Sequence, residues 1–243
     1  MGAGRLYLLG SGIRGSLHMT VETIQALGVC KRIFALHADR EVLDWVASQG
    51  CEVVDLASRY EGQQWRAEVY QAIATELVEA AEQGDPIAFL VHGHPLFLVS
   101  ATEHILELAH QRGVRTTVLS SVSSFDTVLT DLGLDHGYAV QLFDTTTLLL
   151  KGWQPNPEIP LLLFQVATTL NPSVVSGEPD RDGIRRLTEL LVPHYGADHV
   201  VSVVHSAATP YEASTIQRLP LGELSTGVDE LWMRPTLYVP PVH

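Results

Sequence analysis

The chain has 243 residues, 46% of them hydrophobic, which is enough for one large domain or two smaller ones with real cores. Its 15 Lys and Arg stand against 28 Asp and Glu, and this net charge of −13 argues against nucleic acid or an anionic membrane surface as a partner. The sequence has no apolar run of about 18 residues and no charged-then-apolar leader, so we expect a cytoplasmic protein without membrane spans.

The first half alternates apolar runs with helical patterns. In chain order the predicted elements are strand Arg5–Leu9, helix His18–Leu27, strand Arg32–Leu36, helix Glu41–Gln49, strand Glu52–Val54, helix Gln63–Glu82, strand Ile87–Val91, helix Val99–Gln111 and strand Arg115–Leu119. Strands that alternate with helices predict a parallel sheet covered by helices on both faces. A polar segment, Ser120–Ser124, then leads into a short predicted helix over Phe125–Leu132.

The pattern changes after Gly137. The predicted elements are strands Tyr138–Leu142 and Thr145–Leu150, a proline-rich linker Trp153–Pro160, strand Pro160–Thr168, helix Asp180–Leu191, and strands His199–Val204, Thr215–Leu219 and Pro235–Pro240. These elements indicate a second α/β domain with a mixed sheet. We therefore predict an α/β protein with two domains, residues 1–120 and 121–243.

The stretch Phe89–Phe97, which reads FLVHGHPLF, carries the strongest functional signal. Gly93 and Pro95 stop an apolar strand abruptly, and a helix is predicted just beyond them. Open α/β sheets bind ligands outside the carboxyl ends of such strands, where Gly93 lets the backbone approach a ligand closely. The same residues also fit an ordinary strand-ending turn with two solvated histidines.

The glycine loop at residues 10–15, GSGIRG, follows the first predicted strand and formally matches the dinucleotide-binding fingerprint. Asp39 lies near the end of the second strand, where that fingerprint needs an acidic residue. Asp39 can equally cap the helix that starts at Arg40, and the second half offers no obvious hydride-transfer site. A dinucleotide-binding protein is therefore an open alternative.

Two cysteines, Cys30 and Cys51, are too few for a disulfide framework. Their spacing does not suit a metal site either, so no metal is predicted. We expect both to be small core residues.

An ordered set of motifs resembles the tetrapyrrole methylase family along essentially the whole chain. The motifs are LGSGIRGSLHMT at 9–20, GHPLF at 93–97, SSVSSFDTVLTDLG at 120–133 and LYVPP at 237–241. Members of that family use S-adenosylmethionine, which becomes S-adenosylhomocysteine. The resemblance implies a parallel-sheet amino-terminal half, a mixed-sheet carboxyl-terminal half with the active site between them, and a homodimer. It also implies that the dinucleotide match is a decoy.

By the same resemblance, the cofactor would contact residues in four loops. They are His94, Leu96, Phe97, Ser123, Ser124, Gln165, Ala208 and Thr209. Small and hydroxyl side chains at strand ends suit the polar atoms of the cofactor, and Phe97 offers apolar cover.

A narrower resemblance rests on Tyr60, Arg66 and Tyr70, followed by His92 directly before Gly-His-Pro. This set is similar to that of the borosin-type peptide backbone α-N-methyltransferases, a branch of the family that more commonly has tyrosine at the position of His92. The resemblance implies catalytic roles for these four residues in methylating a precursor peptide. We expect that peptide in trans, because the chain ends soon after its last predicted strand. On local chemistry alone, Arg66 and Tyr70 also fit an ordinary pair on one helix face.

The chemistry of amide methylation explains these residue types. A peptide nitrogen is a poor nucleophile because its lone pair is delocalised into the carbonyl. Methylation therefore needs removal of the N–H proton or stabilisation of imidate character. A tyrosine could take the proton, and Arg66 could neutralise negative charge growing on the amide oxygen. The sulfonium supplies the electrophile, so no metal is required.

Other functions stay open at this point. A methylase of a tetrapyrrole or another small metabolite would need basic residues for carboxylates, and the candidates are Arg5, Arg14, Arg59 and Arg66. The remaining alternatives are the dinucleotide-binding protein and a non-enzymatic cofactor-binding scaffold.

Overall fold

The computed structural model describes residues 4–36, 40–60, 65–135, 137–171, 181–209, 211–228 and 235–242, apart from the side chains of Ser58 and Tyr60. These residues form two compact units. The first consists of the described residues up to Thr127 together with Ala208, Thr209, Tyr211 and Glu212. The second consists of those from Val128 to Ala207 and from Ala213 onwards.

The first unit is built on a five-stranded sheet in which all paired strands are parallel. Its strands are β1 (Arg5–Gly10), β2 (Arg32–Leu36), β3 (Glu52–Asp55), β4 (Ile87–Val91) and β5 (Arg115–Val118), in the order β3-β2-β4-β1-β5. Its helices are α1 (Val21–Val29), α2 (Arg40–Ser48), α3 (Arg66–Glu82) and α4 (Ser100–Gln111), and α5 (Ser124–Leu132) begins in this unit.

Apolar burial explains this arrangement. All five residues of β4 are buried, as a central parallel strand covered on both faces requires. Residues of α3 and α4 share one hydrophobic cluster with the sheet, whereas those of α1 and α2 share another. The sheet therefore has helices on both faces, as the strand and helix alternation predicted.

The second unit holds a mixed sheet. Its strands are β6 (Gln141–Asp144), β7 (Leu161–Phe164), β8 (Val200–His205), β9 (Thr215–Pro220) and β10 (Thr236–Val239), in the order β6-β7-β10-β8-β9. Its helices are α6 (Thr145–Lys151), α7 (Arg181–Tyr195) and the short α8 (Leu224–Gly227). β6 and β7 are parallel and the other pairs antiparallel, so the predicted α/β class with one parallel and one mixed sheet is confirmed.

One predicted strand is wrong. Residues 145–150 form α6, although their run of threonines and leucines resembles a strand. The Asp144 carboxylate accepts a hydrogen bond from the Thr147 backbone N–H at 2.7 Å, and Gly152 ends the helix in the left-handed conformation at φ 63°. These two caps decide the outcome, because together they satisfy the ends of a short helix.

Several boundaries also differ from the prediction. The strand expected at Tyr138–Leu142 begins only at Gln141. The helix expected from His18 is a 3-10 turn over Gly15–His18, and α1 follows from Val21 with Thr20 as its cap. α7 continues to Tyr195, four residues beyond the predicted end, with Pro193 in its last turn.

Among the described residues, no helix is both long and apolar enough to cross a membrane. The same residues contain no group of three or more His, Cys, Asp or Glu placed to hold a metal ion. Cys30 is buried in the core of the first unit, as predicted, and Cys51 is partly buried against the same cluster.

Candidate active site

The candidate site lies at the carboxyl edge of the parallel sheet, where β1, β4 and β5 end. From β1 the chain crosses to β2 on one side of the sheet, and from β4 it crosses to β5 on the other. The strand order therefore reverses between β1 and β4. Open α/β sheets bind ligands outside the carboxyl ends of strands at such a switch point.

The loops that follow β1 and β4 are hydrogen-bonded to each other. Ser11 N–H donates to the Val91 carbonyl at 2.8 Å, and the backbones of Gly12 and Gly93 exchange two bonds of 3.3 and 2.9 Å. The segment after β5 joins them, since the Ser121 hydroxyl donates to the Gly10 carbonyl at 3.1 Å. Three loops thus form one connected seam along this edge.

Glycine is required where these loops touch. A Cβ on Gly10 would lie 2.0 Å from the Gly93 carbonyl oxygen and 2.7 Å from the Ser121 Cβ. Gly12 and Gly93 have φ of +73° and +78°, in the left-handed region that favours glycine. The seam is therefore bare backbone, which leaves room for a ligand to approach the main chain closely.

The loop after β4 is a tight turn fixed by its own histidine. Phe97 N–H donates to the His94 carbonyl at 3.0 Å, with Pro95 at the second turn position, and the His94 Nδ1 accepts from Leu96 N–H at 3.1 Å. Leu98 follows at φ 60°, a strained conformation for an aliphatic residue. Such strain clusters at ligand sites because the surrounding structure must enforce it.

Around this turn the loop offers apolar and polar groups together. The Leu96 side chain is 53% exposed and Phe97 is partly buried. The first residue before α4, Val99, provides no side-chain cap, so the positive end of this helix keeps backbone N–H groups for another acceptor. An apolar surface beside N–H donors suits a cofactor that carries both an adenine ring and a carboxylate.

The glycine loop after β1 is not a phosphate cradle. Ser11 and Gly12 donate their N–H groups to the end of β4 and to the loop after it. The N–H groups of Ile13 and Arg14 donate to the His18 Nδ1 at 3.3 and 3.2 Å. A dinucleotide site needs such N–H groups for the pyrophosphate. The chain also enters a 3-10 turn instead of a long helix, so the dinucleotide alternative does not fit.

His18 holds this loop in its neutral form, because an Nδ1 that accepts two hydrogen bonds cannot carry a proton. Burial, together with the nearby charge of Arg14, lowers the pKa of His18 from its ordinary value, while Asp126 opposes this shift. The imidazole therefore links the glycine loop electrostatically to the first turn of α5.

The predicted serines, Ser123 and Ser124, lie between the end of β5 and the first turn of α5. The Asp126 carboxylate accepts from both the N–H and the hydroxyl of Ser123, at 2.7 and 2.6 Å, and the Asp126 N–H donates back at 3.4 Å. Ser123 is thus part of a capping arrangement at the helix start, with Ser124 as the first helical residue. The sequence offers a Ser or an Asp as the cap of this helix, and the structure uses Ser123 and Asp126 together.

Of the residues predicted to act on the acceptor, the structure brings two to one helix end. Arg66 is the first residue of α3, and Tyr70 lies one turn later on the same face. Tyr60 ends the 3-10 turn that follows β3, and its side chain lies outside the described residues. Both α3 and β3 meet at the carboxyl edge of the sheet, as a parallel βα unit requires.

Tyr70 has an aromatic neighbour that the sequence did not indicate. Its ring lies 6.3 Å from that of His104 on α4, centroid to centroid, at an interplanar angle of 36°. His92 directly follows β4 and is partly buried, with its N–H donating to the Leu36 carbonyl at 3.4 Å. Arg66, Tyr70 and His92 therefore all lie at element ends on the edge that carries the seam.

The other predicted cofactor residues lie on loops at strand ends. Gln165 directly follows β7 in the left-handed conformation at φ 62°, and its side-chain oxygen accepts from the Thr168 hydroxyl at 3.2 Å. Ala208 and Thr209 are partly buried and lie in the connection between β8 and β9. A non-glycine residue held at positive φ is uncommon and agrees with a functional position for Gln165.

The basic residues considered for carboxylate binding are not gathered at this edge. Arg5 begins β1 and therefore lies at the opposite, amino-terminal edge of the sheet. Arg59 forms a two-point ion pair with Glu76, with nitrogen–oxygen distances of 3.0 and 3.2 Å. Arg14 and Arg66 remain as basic residues on this side.

A groove of about 670 Å³ lies elsewhere, between α3 and the strands β2 and β3. It is lined by Arg32, Glu52, Glu76 and Glu79 among others, and none of the predicted site residues contributes to it. It is open to solvent and holds none of the motifs, so the motif-bearing edge is the better candidate for chemistry.

Comparisons with known proteins identify the family and the fold. The sequence profile of the tetrapyrrole (corrin/porphyrin) methylases matches residues 5–225. A methyltransferase/ribosomally synthesized type III borosin cyclic peptide precursor of Anomoporia bombycina is 27% identical over 241 residues, covering 98% of this chain and 28% of that protein. A type I counterpart of Coprinopsis marcescibilis is 24% identical over 244 residues, covering 98% and 62%. The chain therefore spans 28% and 62% of the lengths of these two relatives.

Solved structures share the fold. Uroporphyrin-III-C-methyltransferase of Thermus thermophilus superposes with a TM-score of 0.67 at 19% identity, covering 98% of this chain and 93% of that one. Diphthine synthase gives a TM-score of 0.65 at 17% identity, covering 98% and 90%. At these identities the likeness establishes the architecture and leaves the acceptor open.

Proposed function

Because this chain belongs to the tetrapyrrole (corrin/porphyrin) methylase family, we propose that it transfers methyl groups from S-adenosylmethionine to backbone amide nitrogens of a peptide. Two observations together support the proposal: the names of the matched relatives and the position of Arg66 and Tyr70. The relatives matched along 98% of this chain are named as methyltransferases joined to cyclic peptide precursors. The residues suited to amide chemistry, Arg66 and Tyr70, begin a helix at the edge that carries the bare-backbone seam.

The cofactor would bind at the seam. The turn at His94–Phe97 would supply apolar contacts through Leu96 and Phe97, and the N–H groups at the start of α4 would face its carboxylate. Ser123 and Ser124 would contact the cofactor from the start of α5. The N–H and the hydroxyl of Ser123 are both bound to Asp126, so Ser123 would contribute packing and not a hydrogen-bond donor. Gln165, Ala208 and Thr209 are assigned to the same cofactor by resemblance.

Residues in the first turns of α3 would bind and activate the acceptor amide. Tyr70 would remove the N–H proton, and Arg66 would stabilise negative charge on the amide oxygen as imidate character develops. S-adenosylmethionine supplies an electrophilic methyl group, so that a C–N bond forms while the C–S bond electrons stay on sulfur. Tyr60 and His92 would complete the acceptor site, and His92→Tyr should retain activity.

The charge distribution supports a peptide over a tetrapyrrole as acceptor. A tetrapyrrole with several carboxylates would require a group of basic side chains beside the cofactor. Arg5 lies at the opposite edge of the sheet, and Arg59 is already paired with Glu76. A neutral backbone amide needs only a base and one positive charge, which Tyr70 and Arg66 provide.

The proposal includes the peptide substrate and the oligomeric state. The peptide is a precursor supplied as a separate molecule, and the active form is a homodimer within the cytoplasm. Size-exclusion chromatography with light scattering tests the dimer, which requires twice the chain mass of 26.6 kDa. A monomer under conditions that support activity would contradict it.

One plate of thermal-shift measurements tests the cofactor and the competing functions together. The protein is melted with S-adenosylmethionine, S-adenosylhomocysteine, NAD and a uroporphyrin-type tetrapyrrole, each in excess over its expected Kd. A ligand at about 100 times its Kd stabilises the folded state by about 2.7 kcal/mol. Stabilisation by the two S-adenosyl compounds is expected. A response to NAD alone would contradict the proposal, and a response to the tetrapyrrole would favour the small-metabolite function.

A further inference from the structure

The connection between β8 and β9 is fixed at both ends by one carboxylate. Ser206, the first residue after β8, donates its hydroxyl to Asp131 Oδ2 at 2.5 Å. Ser214, the last residue before β9, donates its hydroxyl to Asp131 Oδ1 at 2.7 Å. Asp131 lies in the last turn of α5, 75 and 83 residues from the two serines. We call Asp131, Ser206 and Ser214 the serine clamp.

The direction of each hydrogen bond in the clamp is set by its chemistry. An ionised carboxylate only accepts, so both hydroxyl protons point to Asp131. The Ser214 oxygen in turn accepts the Ala207 N–H at 3.0 Å, which fixes the backbone just before Ala208. The clamp therefore orients the main chain next to Ala208 and Thr209, the two residues of this connection that are assigned to the cofactor.

A carboxylate is suited to this task because both of its oxygens accept strongly. Hydrogen bonds to ionised groups are shorter and stronger than neutral ones, and the two distances here are short. An asparagine would offer one acceptor oxygen to two hydroxyl donors. Asp131 also belongs to the segment 120–133 that resembles the family, and neither cofactor binding nor amide chemistry as proposed above uses it.

We propose that Asp131 is a positioning residue that, through Ser206 and Ser214, holds the β8–β9 connection in the conformation that binds the cofactor. This inference rests on the proposed function, because it takes Ala208 and Thr209 as cofactor contacts. Asp131 acts through the two serines and does not itself reach the reacting atoms. Its loss should weaken cofactor binding and leave the methyl-transfer step at saturating cofactor unchanged.

The test is calorimetry with S-adenosylhomocysteine on the wild type, Asp131→Ala, Ser206→Ala and a matched control, Asp135→Ala. Asp135 lies four residues further on, is exposed, and its carboxylate accepts a local bond from the Gly137 N–H at 2.9 Å. Asp131→Ala should bind about tenfold to a hundredfold more weakly, the effect expected when charge-assisted bonds that order a loop are lost. The control should match the wild type.

Two further readouts separate positioning from general stability. Hydrogen exchange of peptides covering 204–216 should accelerate in Asp131→Ala, and turnover at saturating S-adenosylmethionine should stay within about twofold of the wild type, since the transfer step is untouched. A merely structural role would lower the melting temperature and leave the Kd unchanged in the folded variant.

The affinity of each variant for S-adenosylhomocysteine decides the result. A folded Asp131→Ala that binds S-adenosylhomocysteine as tightly as the wild type overturns the inference and leaves the proposed function standing. A wild type that does not bind overturns both. Should Asp131→Ala not fold, Ser206→Ala decides, because it removes one hydroxyl and keeps the carboxylate bound to Ser214. Weaker binding by that variant supports the clamp, and unchanged binding overturns it.

Discussion

Replacing Gly10 with alanine would place a methyl group inside the seam of loops at the carboxyl edge of the sheet. The added Cβ would lie 2.0 Å from the Gly93 carbonyl oxygen and 2.7 Å from the Ser121 Cβ. Both neighbours are held by backbone or short side-chain bonds, since Gly93 N–H donates to Gly12 at 2.9 Å and Ser121 donates to Gly10 at 3.1 Å. Neither can rotate away, so the loops themselves must move apart.

The size of this movement follows from ordinary contact distances. Non-bonded heavy atoms prefer a separation of about 3.5 Å, so the loop after β4 must shift by about 1.5 Å. Overpacking of this kind costs about 1–3 kcal/mol of stability, and each kcal/mol lowers the melting temperature by about 2–4 °C in a chain of this size. A displacement of about 1 Å at a site can reduce a rate about 10²-fold, so methyl transfer should suffer more than folding.

Calorimetry with S-adenosylhomocysteine and thermal unfolding test this prediction against Gly28→Ala. Gly28 lies within α1, and a Cβ there would meet nothing within 4 Å. Alanine stabilises a helix interior by about 0.5–1 kcal/mol relative to glycine, so the control should bind normally and melt slightly higher. Wild-type affinity and melting temperature in Gly10→Ala would refute the seam as the cofactor site.

Three further predictions concern separate parts of the chain. Arg66→Ala should lose about 10²–10³ in methyl-transfer rate while keeping its Kd for S-adenosylhomocysteine, because Arg66 is assigned to stabilising negative charge on the amide oxygen. Steady-state kinetics and calorimetry measure the two quantities, and a wild-type rate in this variant would contradict the proposed role of Arg66. Burial and Arg14 lower the pKa of His18 below its ordinary 6.5, so the stabilisation from its neutral form should be complete above pH 6.5 and decline as the pH falls below it. Urea unfolding of the wild type and His18→Gln across that range measures the effect, and parallel pH profiles would contradict it. Burial, with a smaller contribution from Cys51, raises the pKa of the Cys30 thiol to about 12. In the folded protein iodoacetamide should therefore label Cys51 well before Cys30, which mass spectrometry of the digest would show. Equal labelling rates would disprove this.

The first sheet was predictable because its pattern is local and redundant. β2 and β4 have the predicted bounds, since each is a mainly apolar run closed by polar or turn residues. The strand predicted at residues 145–150 is wrong because threonine and leucine suit a strand as well as a helix, and the caps at Asp144 and Gly152 determine the result.

The local structure of the candidate site was predictable from the sequence, but its tertiary hydrogen bonds were not. The turn at Gly93–Phe97 and the helix position of Arg66 and Tyr70 follow from the sequence. The partners that fix the loops do not follow from it. The His18 imidazole accepts from the N–H groups of Ile13 and Arg14 only because the chain turns back after the glycine loop, and Asp131 binds serines 75 and 83 residues away. The contact of His104 with Tyr70 could not be predicted for the same reason, since it depends on how α3 packs on α4.

Incubation of the protein with trideuteromethyl-labelled S-adenosylmethionine and a candidate precursor peptide is the most direct test of the central claim. Tandem mass spectrometry of the product locates each labelled methyl group along the peptide, and Arg66→Ala serves as the matched control. We expect labelled methyl groups on backbone nitrogens with the wild type and their loss with Arg66→Ala. Label found only on side chains, or on a tetrapyrrole offered in the same mixture, would contradict it.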